Sequence, residues 1–212
     1  MATLDLQEQE QLDALKAWWK ENGRWVMAAL ILAVGSFIAV RGWQAWQGKQ
    51  AQQAATLYAG VIQQLGSNDP KRIGDAAKAV VDKFGSTAYA PRAQLLAAQA
   101  SIQAKDDARA KSQLQWVVDH APEDGLQNVA RLKLASLLLD EKNYDDALKL
   151  LDAKHPESFD GLYADLKGDV LLAQGKKDEA RAAYKLAFDK IDEKNSYRNL
   201  IQMKLDALGG AK

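Results

Sequence analysis

Between Arg24 and Arg41 the chain runs WVMAALILAVGSFIAV, Trp25 to Val40, without a single charged side chain. No other feature restricts the fold as much, because a helix that is apolar on every face must be enclosed by protein or by lipid. At 1.5 Å per residue the run reaches about 24 Å, short of the roughly 30 Å hydrocarbon core of a bilayer. Its flanks make up the difference. Arg41 is long enough to carry its charge back to the interface, Trp43 and Trp46 follow it, and Trp18, Trp19 and Trp25 stand at the other end. Tryptophans bracketing an apolar run form the two aromatic belts of a spanning helix. A cleaved export signal is a poorer match, because the preceding segment is rich in acids (Asp5, Glu8, Glu10, Asp13, Glu21), no clean small-x-small site follows, and bulky tryptophans occupy the polar boundary. The sequence therefore predicts a leader over 1–24, one transmembrane helix with aromatic flanks over 25–46, and a separate domain over 50–212. Lys16, Lys20 and Arg24 precede the span, whereas Arg41 and Lys49 follow it. That slight excess favours a cytoplasmic N-terminus, which in a bacterial inner membrane places the domain in the periplasm.

Beyond Gln50 the pattern is helical throughout. Alanine, leucine, lysine, aspartate and glutamine dominate, there are four prolines in 212 residues, and no alternating Val/Ile/Thr run of the strand type occurs. Short polar punctuation falls at Gly66–Pro70, Gly85–Thr87, Ala121–Gly125, His155–Ser158 and Gly161, which divides the domain into helical hairpins. The hairpins repeat. Lys142-Asn143-Tyr144-Asp145-Asp146-Ala147 and Gly175-Lys176-Lys177-Asp178-Glu179-Ala180 each read as a tight turn, acids at a helix start, then a small alanine, and the two alanines are 33 positions apart. Ala104-Lys105-Asp106-Asp107-Ala108-Arg109-Ala110 is a looser copy 37 positions earlier. Acids in a first turn complement the helix dipole, so their recurrence at repeat turns is better explained by capping than by a cation site.

This pattern resembles the tetratricopeptide repeat, a helix-turn-helix of about 34 residues. Gly168, Leu171, Ala180, Tyr184 and Ala187 take the motif positions of the last unit, Ala135, Leu138, Ala147 and Leu151 those of the middle unit, and Ala98, Ala110, Leu114, Val117 and Pro122 those of the earlier one. The aromatic that usually opens the motif is replaced by Gln94, Arg131 and Ala164. The expected architecture is all-α: a tetratricopeptide-like solenoid of helical hairpins preceded by one transmembrane helix, with Tyr197–Leu208 covering the last repeat. In such repeats the first helices line a groove. That register assigns Arg92, Leu95, Gln99 and Ile102, then Val129, Leu132, Ser136 and Leu139, then Leu162, Asp165, Asp169 and Leu172 to a partner-binding face. Its leucines suit apolar or amphipathic segments, and its aspartates would repel a terminal carboxylate. The same leucines would instead be core if the closing helix or the first hairpin filled the groove.

Lysine plus arginine equals aspartate plus glutamate at 28 each, which argues against a nucleic-acid partner. Cysteine is absent, so disulfides, thiol nucleophiles and thiolate zinc sites are excluded. His120 and His155 stand alone at proline-bearing loops, and no phosphate-binding glycine loop, nucleophile elbow or zinc-protease motif occurs. The expectation is a binding protein without enzymatic activity, cofactor, metal or small-molecule substrate.

The acid-rich leader, the Glu21-Asn22-Gly23 step into the span, Trp43-Gln44-Ala45-Trp46-Gln47, the string Ala164–Asp169, the string Gly175–Arg181 and the ending Gln202–Leu208 together resemble the YfgM-type ancillary subunits of the bacterial SecYEG translocon. The resemblance implies an inner-membrane protein beside the translocon, with a periplasmic domain. Its partners would be SecYEG, the lipid bilayer, secreted client chains and a membrane-anchored, prolyl-isomerase-like periplasmic chaperone. An anchored scaffold for another envelope assembly, or a regulator that sequesters a stress-signalling partner, is the alternative reading.

Overall fold

The computed structural model describes residues 6–67 and 69–209. They form two units, dividing after Gln50: residues 6–50 and the described residues from 51 to 209. Among the described residues there are nine α-helices and no strand: α1 Leu6–Leu65, α2 Pro70–Phe84, α3 Tyr89–Gln103, α4 Asp107–His120, α5 Asp124–Asp140, α6 Tyr144–Leu151, α7 Asp160–Ala173, α8 Lys177–Lys190 and α9 Tyr197–Ala207.

In the first unit, α1 carries the apolar run with its side chains directed outward on all sides. Trp25, Ile31, Leu32, Phe37 and Ile38 are exposed, and only 6% of the most apolar stretch is buried. A core helix of a water-soluble protein would be the reverse, so lipid is the environment this surface fits. The flanking aromatics are paired: the Trp18 and Trp19 rings lie 6.4 Å apart, and those of Trp43 and Trp46 lie 5.1 Å apart. Gly23 lets the Trp19 ring fold against the helix, because a Cβ there would sit 3.1 Å from Trp19 Nε1.

In the second unit, successive helices pack as antiparallel hairpins. The end of α1 leads into α2, then α3/α4, α5/α6 and α7/α8 follow, and α9 lies on α8. Small residues at the crossings set the spacing. Ala97, Ala98, Ala110, Ala130, Ala135, Ala147, Ala180 and Ala187 are all buried. Gly168 lies under the Tyr184 ring, where a Cβ would approach to 2.5 Å. Gly161 is inside α7 rather than in a loop; its missing side chain leaves room for Ile191, 2.4 Å from where a Cβ would stand. Gly125 likewise lies inside α5, which begins at Asp124. Asn68, in the expected loop before Pro70, falls outside the described residues.

The repeated turn is the clearest local device. Lys105, Lys142 and Gly175 all take positive φ (58°, 62° and 80°). After each, the next amide donates to the carbonyl five residues back: Asp106 N to Ser101 O at 2.9 Å, Asn143 N to Leu138 O at 2.8 Å, and Lys176 N to Leu171 O at 2.9 Å. This is the Schellman arrangement that closes a helix C-terminus, used three times at the repeat spacing. The acids after it behave differently from one another. Asp106 caps α4 by accepting from the Arg109 amide at 3.2 Å, whereas Asp145, Asp146, Asp178 and Glu179 sit in the first turns of α6 and α8.

Candidate functional site

The face expected to bind partners is the layer of first helices, α3, α5 and α7. Polar pins hold these helices side by side. Lys133 of α5 donates to Gln99 Oε1 of α3 at 3.1 Å. The Tyr163 hydroxyl of α7 donates to Asn128 Oδ1 of α5 at 2.6 Å, and Arg131 donates to both of them. Arg92 forms a two-bond fork with Glu123 at 2.9 and 2.8 Å. That contact raises the Arg92 pKa and joins α3 to the entry of α5.

The predicted positions divide into three groups. Val129, Leu162 and Leu172 are open to solvent, at 37%, 39% and 36% exposure. Leu95 and Ile102 are half-buried against the core around Leu114 and Val117; Leu132 and Leu139 are half-buried against the one around Leu151, Tyr163 and Val170. Gln99 and Ser136 are half-buried as well. Asp165 and Asp169 belong to neither group, because the closing helix has claimed them. Lys204 of α9 lies 2.9 Å from Asp165 and 2.8 Å from Asp169, and Asp165 is 2% exposed. The Tyr197 hydroxyl donates to Asp165 and the Tyr184 hydroxyl to Asp169, each at 2.7 Å. Burial and these carboxylates push both phenols well above the usual tyrosine range.

Further contacts fasten α9. Ile201 and Leu205 are buried, Arg198 stacks 3.8 Å over Phe188, and Arg181 donates to the Leu208 carbonyl. The lysine that neutralises Asp165 comes from 39 positions away, so no local spacing in the sequence could announce it. The expectation that Tyr197–Leu208 covers the last repeat did, however, place the helix that supplies it.

The two histidines occupy supporting positions. His120 stacks on Trp116 at 4.7 Å. His155 lies in the loop before α7, stacked on Tyr163 at 3.8 Å, with Nε2 3.3 Å from Asp160. Lys190, 2.8 Å from Asp160, holds that carboxyl below the usual carboxylate range. Chemically, the first-helix face offers three open apolar side chains on a pinned scaffold, with a partly neutralised acidic patch under α9 at one end.

Comparison with known proteins adds the family context. The model of the tetratricopeptide repeat-like domain matches residues 16–210. Curated proteins named ancillary SecYEG translocon subunit align along almost the whole chain. The one from Neisseria gonorrhoeae is 33% identical over 204 residues, covering 96% of this chain and 98% of the relative. Those from Haemophilus influenzae and Escherichia coli are each 30% identical, the first covering 96% of this chain and 98% of the relative, the second 95% and 96%. No solved structure matches.

Proposed function

The chain belongs to the tetratricopeptide repeat-like family of ancillary SecYEG translocon subunits, and on that premise we propose that it serves a SecYEG translocon as a single-pass inner-membrane subunit with a cytoplasmic leader and a periplasmic domain. The boundaries we assign are 1–24 for the leader, 25–46 for the span and 50–212 for the domain. The domain's first-helix face receives apolar or amphipathic segments of secreted chains and passes them to a membrane-anchored, prolyl-isomerase-like chaperone.

The observation that supports this reading is the open trio Val129, Leu162 and Leu172 on helices otherwise locked by hydrogen bonds, in a chain that also carries an apolar helix of membrane length. Exposed apolar side chains on a rigid layer can take an apolar helix face or an extended chain with little reorganisation. The half-buried Leu132 and Leu139 support that layer from below. The face extends over Leu95, Gln99, Ile102 and Ser136, while Asp165 and Asp169 are its closed end.

The test is site-specific photocrosslinking in intact membranes during export, with the reactive group at Val129 or Leu162. Adducts to secreted chains and to SecYEG are expected, and Leu172→Asp should reduce them several-fold without lowering the melting temperature. Adducts that persist unchanged in that variant would overturn the groove. In parallel, protease added to spheroplasts should digest the domain and spare the leader; a protected domain would overturn the orientation.

A further inference from the structure

The part of α1 that precedes the apolar run sorts its charges by distance from that run. Glu8, Glu10 and Asp13 lie far from Trp25, whereas Lys16, Lys20 and Arg24 lie next to it. At 1.5 Å per helical residue, Arg24 stands about 1.5 Å, Lys20 about 7.5 Å and Lys16 about 13.5 Å outside Trp25. A headgroup layer is roughly 5–7 Å thick on each side of the hydrocarbon core. Arg24 and Lys20 therefore stand at headgroup depth, and Lys16 is long enough to reach back to it. Asp13, the nearest of the three acids, is about 18 Å out, more than one ~8 Å screening length beyond that layer. It bonds Lys16 at 2.9 Å, but the two side chains are 74% and 75% exposed, and a surface pair of that kind contributes little. Glu21 is the one acid at headgroup depth, which leaves three cations against one anion.

The three cations also share a face. Positions i, i+4 and i+8 of an α-helix fall within about 80° of one another, and all three side chains are exposed. Beside them, Leu15, Trp18 and Trp19 line with Lys16 and Lys20 a recess of 670 Å³. The Trp19 ring reaches one turn toward the span: its Nε1 lies 3.1 Å from where a Cβ of Gly23 would stand. The indole is thus held at the depth of Gly23, about 3 Å outside Trp25, with its N–H as a donor. An aromatic belt alone accepts any headgroup; an aromatic wall beside three cations selects a negatively charged one.

We propose that this face is a binding site for an anionic phospholipid of the bilayer. Its phosphate lies over Lys20 with Lys16 and Arg24 on either side, and its glycerol edge rests on the Trp19 ring. Charge complementarity and continuity with the span favour a lipid as occupant; an acidic peptide would meet the cations but leave the aromatic wall at the bilayer surface unused. The site rests on residues 25–46 being a span and uses no residue of the first-helix face.

The test uses the full chain in phosphatidylcholine vesicles with a trace of pyrene-labelled phosphatidylglycerol or of pyrene-labelled phosphatidylcholine. Energy transfer from tryptophan to pyrene reads which lipid gathers at the helix. A preference of about threefold for the anionic lipid, averaged over the lipid shell, is expected, and it should fall toward parity in high salt. Lys16→Gln with Lys20→Gln and Arg24→Gln should remove most of it. Arg41→Gln with Lys49→Gln, on the other flank, should leave it in place. Equal transfer to both lipids in the unmodified chain would overturn the site and leave the span standing. A preference that survives the triple substitution but vanishes with the Arg41 and Lys49 substitutions would overturn it as well. Transfer to neither lipid would overturn the span itself, and the site with it.

Discussion

At the scale of single residues, the repeat turns show where the backbone is under strain. Lys105 and Lys142 adopt the left-handed conformation that Gly175 adopts in the third copy. For an L-residue this conformation costs roughly 1–2 kcal/mol, part of which glycine gives back through its greater freedom in the unfolded chain. Lys105→Gly and Lys142→Gly should each stabilise the domain by about 0.5–1 kcal/mol, and Gly175→Ala should destabilise it by about 1 kcal/mol. Urea midpoints at unchanged slope measure this; a loss of stability in both lysine variants would refute it. The phenols of Tyr184 and Tyr197 give a pH dependence. Burial, then the bonds to Asp169 and Asp165, raise both above the usual tyrosine value. The folded state therefore holds these protons more tightly than the unfolded state does. Their contribution is fully present below about pH 10 and is lost as pH climbs above it. Tyrosinate absorbance and helical circular dichroism, followed together, should show the last phenols ionising only as the helices melt. Tyr184→Phe with Tyr197→Phe should flatten that alkaline loss.

At the scale of elements, α9 is the piece whose attachment is most unusual. A bundle end can be covered by apolar contact alone, yet here two carboxylates, two phenols and one lysine meet beneath the closing helix. Removing the cation leaves Asp165 buried with only the Tyr197 hydroxyl for compensation. Breaking a fully buried pair costs about 3–5 kcal/mol; the partial exposure of Lys204 and Asp169 admits some water, so Lys204→Met should lose about 2–3 kcal/mol. Adding Asp165→Asn should recover part of that loss, since the two residues are coupled. Urea unfolding of the three variants tests it: additive losses would mean that the pair does not interact. The sequence made the helices legible through composition, turn signals and recurring alanines, and it made α9 legible as a cover. It could not reveal which face positions would remain open. Leu132 and Val129 read alike in periodicity, but one is packed and the other is exposed, because that outcome depends on neighbours supplied by distant hairpins. Gln94 was visible as a departure from the motif, whereas its burial follows only from the helices packed around it.

At the scale of the molecule, the second unit carries a continuous series of cores, each shared between consecutive hairpins. Val61 and, beside it, Leu57, from the end of α1, pack with Ile73, Ala77, Val80 and Ala93; Leu114 and Val117 pack with Leu134; Ala135 and Leu151 pack with Tyr163 and Val170; Tyr184 and Ala187 pack with Ile201 and Leu205. No member of these clusters comes from the lipid-length run. A fragment beginning at Ala51 should therefore fold in water without detergent. In a solenoid, each repeat is stabilised by its neighbours and the ends must be capped. Here Leu57 and Val61 cap one end and α9 caps the other, so the fragment should melt as one cooperative helical unit. Ending the chain at Asn195 removes α9, uncovers Tyr184 and Ala187, and strands Asp165 without Lys204. That shortened fragment should melt at a markedly lower temperature and lose cooperativity, first in α7 and α8 and last in α3 and α4. Hydrogen exchange resolved along the sequence reads this order directly. If the Ala51 fragment aggregates or remains molten while the full chain in detergent is ordered, the domain needs its anchor to fold. If the shortened fragment melts uniformly and at the same temperature, α9 is a passive tail, and the charged patch beneath it contributes nothing to closure.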